Sequence, residues 1–96
     1  MKCYISGKIS GLSQEEAFEK FEKAEKEVES LGYKPVSPMK ICPYNPDWEW
    51  EAYMEKDIGA LLRCKSIYML KAWGNSKGAR CEYAISKELN LNVIFQ

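Results

Sequence analysis

Four short apolar runs separated by three helical periods leave a 96-residue chain one economical architecture. The runs cover residues 3–6, 33–36, 66–70 and 91–95, each bounded by glycine, proline or polar turn formers. Their alternation predicts a single-domain α/β fold with a parallel sheet and right-handed crossovers. We expect four strands in the flavodoxin-like (Rossmann-like) order 2-1-3-4, flanked by helices, with a ligand crevice where strands 1 and 3 diverge. Pro35 lacks a backbone donor, which argues for an edge position of the second strand.

The segment 66–89, SIYMLKAWGNSKGARCEYAISKEL, reads as strand, loop and helix. Ser76 suits the helix N-cap, and Gly78 sits in the first turn, where a missing side chain permits close approach. Lys77 and Arg80 share that turn and oppose the helix dipole; a bound anion would remove the conflict, as would simple extension of both chains into water. Glu82 falls on one face with Gly78, Ile85 and Leu89, the stripe that should meet the sheet. A carboxylate there is costly unless paired, hydrogen-bonded or functional, and Arg80 is its nearest candidate partner.

The helical pattern over 48–63 carries the same anomaly. Trp50, Tyr53, Met54, Ile58, Leu61 and Leu62 are its apolar residues, and Asp57 lies among them on the inward face. Two inward carboxylates on helices flanking one strand point to a site. Around it we expect the Gly7 and Gly11 turn after strand 1, either a cradle for a sugar or phosphate or an ordinary turn. Residues 37–47, with three prolines and no period, read as a long binding loop or lid, or a plain surface excursion. The first helix, from Ser13 with Glu16 at capping-box spacing to Gly32, reads as scaffold.

Composition narrows the partners. Fourteen basic and fourteen acidic residues cancel, so a nucleic-acid polymer or a membrane surface is not expected. The absence of histidine removes Ser-His and Cys-His nucleophile pairs and the commonest metal ligand. Cys3, Cys42, Cys64 and Cys81 form no C-x-x-C pair, and no signal peptide is seen, so a reduced, cytoplasmic protein without a metal or cofactor is expected. Trp48, Trp50, Tyr53 and Trp73, with an apolar last strand, suggest a homo-oligomer, most simply a dimer; alternatively these aromatics line the pocket, Trp73 stacking on a base.

CYISGKISG, YMEKDIGALLRC and SKGARCE together resemble the nucleoside 2-deoxyribosyltransferase-like superfamily, in particular its small uncharacterised bacterial and phage branch. The resemblance spans nearly the whole chain. It implies that Glu82, in an S-x-G-x-x-x-E segment, attacks the anomeric carbon of a nucleoside or nucleotide, and that Asp57 holds substrate and aids base departure. It further implies that Ser76 contacts a 5′-phosphate, in agreement with Lys77 and Arg80 at the helix start and with Gly78 on the motif's glycine position, so that monophosphates should bind better than bare nucleosides. Tyr4, Gly7 and Gly11 match the first-strand turn that lines the sugar pocket, and Ser6, Ile9, Trp73 and Asn75 are further expected substrate-binding residues. The expected activity is an N-glycosidase or deoxyribosyltransferase working through a covalent glutamate intermediate. The alternatives are a non-catalytic protein that sequesters a nucleotide or nucleotide signal, and an NAD-type glycohydrolase.

Overall fold

A computed structural model describes all residues, 1–96. Its elements are β1 (Lys2–Ser6), α1 (Gln14–Ser30), β2 (Lys34–Val36), α2 (Pro38–Ile41), α3 (Trp50–Leu61), β3 (Ser66–Met69), α4 (Lys77–Glu88) and β4 (Asn92–Phe95). The sheet is parallel throughout, in the order β2-β1-β3-β4, as the alternation of strand and helix predicts. No helix is long and apolar enough to cross a membrane.

Both faces of β1 and β3 are covered, so all their residues but Lys2 are buried, without a polar side. Cys3, Ile5, Tyr68 and Leu70 pack on Phe21, Ala24 and Val28 of α1. The alternate residues Tyr4, Ile67 and Met69 pack on Leu61, Cys64 and Ala79 from the α3 and α4 side. Period-2 alternation therefore decides which β1 side chains meet α4, namely Tyr4 and Ser6. The register sets Tyr4 beside Ile67 and Ser6 beside Met69.

Local capping follows the sequence closely. Ser13 and Glu16 form the expected capping box of α1, and Gly32 follows the helix at φ +91°. Residues 37–47 are less irregular than their prolines suggest: Ser37 accepts from Met39 N–H at 3.2 Å, and Pro38 opens the short α2. Helix α3 starts at Trp50, two residues later than the apolar pattern, because Asn45–Trp48 forms a turn closed by Trp48 N–H on Asn45 C=O. The loop after β3 contains a turn of 3₁₀ helix, Trp73–Asn75, entered through Ala72 at φ +65°.

Gly7 ends β1 against β3. A Cβ there would lie 2.7 Å from Leu70 Cδ1 and 2.9 Å from Leu70 Cβ. Leu70 is fully buried and has little room to yield. Gly7→Ala is expected to cost about 1–3 kcal/mol by overpacking, lowering the thermal midpoint by roughly 5–15 °C. An unchanged midpoint in a melt would show that Leu70 moves freely.

Candidate functional site

Helix α4 begins with Ser76, whose hydroxyl accepts from Ala79 N–H at 3.2 Å. Two residues on, Gly78 faces α3 so closely that a Cβ would sit 3.2 Å from Met54 Sδ. The close approach permitted at Gly78 has a consequence for charge. Asp57 lies one helical turn beyond Met54, and Glu82 one turn beyond Gly78, so both carboxylates come to the seam between α3 and α4.

Glu82 is 4 % exposed. Tyr4 Oη donates to its Oε2 at 2.8 Å, and Ser6 Oγ donates to its Oε1 at 2.6 Å. Burial pushes the carboxyl up to about 7, against the pull of the Ser6 and Tyr4 hydroxyls, which favour the charged form. Asp57 is 8 % exposed, and its Oδ1 is buried with no hydrogen-bond partner. Burial first, and then the charge of Glu82, raise it from 3.8 to about 7. Glu82 has two donors and Asp57 Oδ1 has none, so Glu82 ionises first and its charge then keeps the proton on Asp57. Tyr4 is itself held well above the usual phenol range by burial and by Glu82, so it remains a donor.

Both carboxylates open into a cavity of about 370 Å³ at the carboxyl end of β1. This lies within the span of roughly 300–1,000 Å³ that accommodates small ligands, and at the switch between β1 and β3. Tyr4, Gly7, Ile9, Ser76, Lys77 and Gly78 line it together with Asp57 and Glu82. Ser6 stands behind Glu82 and reaches the cavity only through that carboxylate. No three histidine, cysteine, aspartate or glutamate side chains are grouped to hold a metal ion.

Besides Ser6, four expected residues are not brought to the cavity. Gly11, at φ +87°, shapes the turn closed by Leu12 N–H on Ile9 C=O, and its neighbours Ser10 and Leu12 form the wall instead. Trp73 packs its ring 4.6 Å from Tyr83 and 6.3 Å from Phe95, outside the cavity lining. Asn75 is exposed beside it. Arg80 does not pair with Glu82; its guanidinium donates to Gly74 C=O at 2.7 Å on the exposed surface. The basic first turn of α4 is thus satisfied inside the chain, since Lys77 Nζ also lies 4.4 Å from the Trp50 ring centroid.

Met39, Cys42, Tyr44, Trp50, Tyr53 and Met54 line the outer wall. This wall agrees with the alternatives of a binding loop over 37–47 and of Trp50 and Tyr53 lining the pocket, and it adds Met39, Cys42, Tyr44 and Met54, which the sequence did not single out as site residues. Trp50, Tyr53, Met54 and Asp57 are spaced i, i+3, i+4, i+7, so the inward aspartate marked the face on which all four lie. Tyr53 also secures the Pro-rich segment: its hydroxyl accepts from Asn45 N–H at 2.7 Å and donates to Asn45 C=O. Trp50 and Tyr53 stand at the cavity and Trp73 packs on its neighbours, while Trp48 and Trp50 remain 37% and 41% exposed.

The fold and site define an α/β domain with two buried carboxylates in a cavity at a topological switch point. The chain belongs to a family described as a domain of unknown function, DUF4406, whose model matches residues 1–95. Among solved structures it is similar to a 2-deoxyribosyltransferase from the psychrotolerant bacterium Bacillus psychrosaccharolyticus. That likeness has 18% identity and a TM-score of 0.74, and it covers 99% of this chain and 71% of that chain. At such identity the likeness shows a shared flavodoxin-like fold. No curated protein matches the sequence.

Proposed function

We propose that this domain cleaves or transfers the N-glycosidic bond of a nucleoside or nucleotide, with Glu82 as nucleophile and Asp57 as proton donor. A single observation carries the proposal: two buried carboxylates share one cavity, one fixed by two hydroxyl donors and the other left with an unpartnered oxygen. The two donors on Glu82 and the unpartnered oxygen of Asp57 suit the groups to different roles. The fold likeness to a 2-deoxyribosyltransferase supports a nucleoside as the ligand class.

The chemistry balances with these groups alone. Ionised Glu82 attacks the anomeric carbon as the C–N bond breaks, and Asp57 delivers its proton to the departing base. The sugar is left as an ester of Glu82. Water then attacks the anomeric carbon, Asp57 takes its proton, and Glu82 leaves as carboxylate; a second base in place of water makes the reaction a transfer. Tyr4 and Ser6 hold the carboxylate so that little reorientation is required.

Intact-protein mass spectrometry after acid quench tests this directly. Incubation with nucleosides and 5′-monophosphates is expected to give a protein heavier by one sugar unit, with free base in solution. Base release from none of them, with binding retained, would leave a nucleotide-sequestering protein as the function. That second reading has its own support: both Glu82 oxygens already accept hydrogen bonds, which lowers their nucleophilicity.

A further inference from the structure

Trp50 stands two helical turns before Asp57, about 10 Å along the axis of α3. The carboxylates act at the glycosidic bond, so the part of a ligand that extends from them toward Trp50 is the group borne on the anomeric carbon. Its chemistry is indicated by the wall of the cavity. Tyr44, Trp50, Tyr53, Met39, Ile9 and Leu12 are apolar or aromatic, and Lys77 is the only cation that lines the cavity. Arg80, which would have made this end a phosphate site, is turned away onto Gly74.

Trp50 is 41% exposed, although it belongs to the inward stripe of α3. One face of its ring is within reach of α4, because the Lys77 ammonium lies 4.4 Å from its centroid. A π face that attracts a cation also accepts a flat, polarised ring.

We infer that Trp50 is the stacking platform for the planar heteroaromatic base of the ligand, in the place that Trp73 was expected to take. The inference rests on reading the cavity as an N-glycoside site and adds the residue that recognises the base. Lys77 lies over the platform, its ammonium 4.4 Å from the ring centroid. The base takes its place.

Tryptophan fluorescence tests the assignment, in Glu82→Gln protein so that turnover does not consume the ligand. The probes are a purine nucleoside, its 5′-monophosphate and ribose 5-phosphate. The nucleoside and monophosphate are expected to quench emission, and ribose 5-phosphate to leave it unchanged. Trp50→Phe should remove most of the quenching, whereas Trp73→Phe should retain it. Trp50→Ala should weaken nucleoside binding about five-fold or more by calorimetry, with Trp50→Phe close to the parent. Quenching that persists in Trp50→Phe, or that ribose 5-phosphate alone reproduces, overturns the platform while leaving the N-glycoside proposal standing. Calorimetry that finds no binding of any nucleoside or nucleotide overturns both. Circular dichroism of each variant confirms that the domain has folded.

Discussion

Glu82→Gln is expected to reduce base release by about 10³-fold or more while leaving ligand affinity within a few-fold. Glutamine keeps the size of the side chain and can still accept from one hydroxyl and donate to the other, so the contacts from Tyr4 and Ser6 have partners. It lacks the charge that attacks carbon. The sugar adduct on the protein should vanish with the activity. In the parent protein, the pH profile should be bell-shaped around neutrality. Activity falls on the acid side as Glu82 gains a proton and on the alkaline side as Asp57 loses one, both being raised to about 7. Native-rate turnover by Glu82→Gln, or a rate still rising at pH 9, would remove this pair from the mechanism.

The second large effect is on stability, and its sign is opposite to that of most substitutions in a buried site. Folded Asp57 and Glu82 keep their protons up to about 7, whereas the unfolded chain releases them near 3.8 and 4.5. Between about pH 4 and pH 7 the folded state binds more protons, so stability falls as pH rises through that window and levels off above it. Asp57→Asn removes one of the two charges. At pH 8 it is expected to be more stable than the parent by about 1–3 kcal/mol, because its amide needs partners of its own and offsets part of the gain. At pH 4 the two proteins should be alike. Base release should drop by about 10²- to 10⁴-fold, since the proton donor is gone. Denaturant melts at the two pH values decide the matter: equal stability at pH 8 would mean that Asp57 is hydrated or paired in solution. The result would also explain why an aspartate with an unpartnered oxygen is tolerated, since its cost is local to a site that uses its proton.

Much of this arrangement was legible in the chain itself. The alternation of apolar runs and helical periods determines a parallel sheet, and the right-handed crossover rule with the edge signal at Pro35 leads to the order 2-1-3-4. Ser13 with Glu16, and Ser76 before α4, are local capping signals that need no tertiary information. The inward placement of Asp57 and Glu82 is also local, because helical period alone sets both among apolar residues. What period cannot supply is the partner across the seam. Tyr4 and Ser6 meet Glu82 over sequence separations of 78 and 76 residues, a pairing that exists only once β1 and β3 are in register. Short-range patterns pointed to Trp73 rather than Trp50 as the ring that meets a base, and left Lys77 and Arg80 equally eligible for a ligand. Tertiary packing separated them: the close approach of α4 to α3 at Gly78 puts Lys77 and Trp50 on the cavity side, while the 3₁₀ turn after Ala72 leaves Trp73 with Tyr83 and Arg80 with Gly74 outside it. A helix face records that a side chain is turned inward, and only the neighbouring element decides what it finds there.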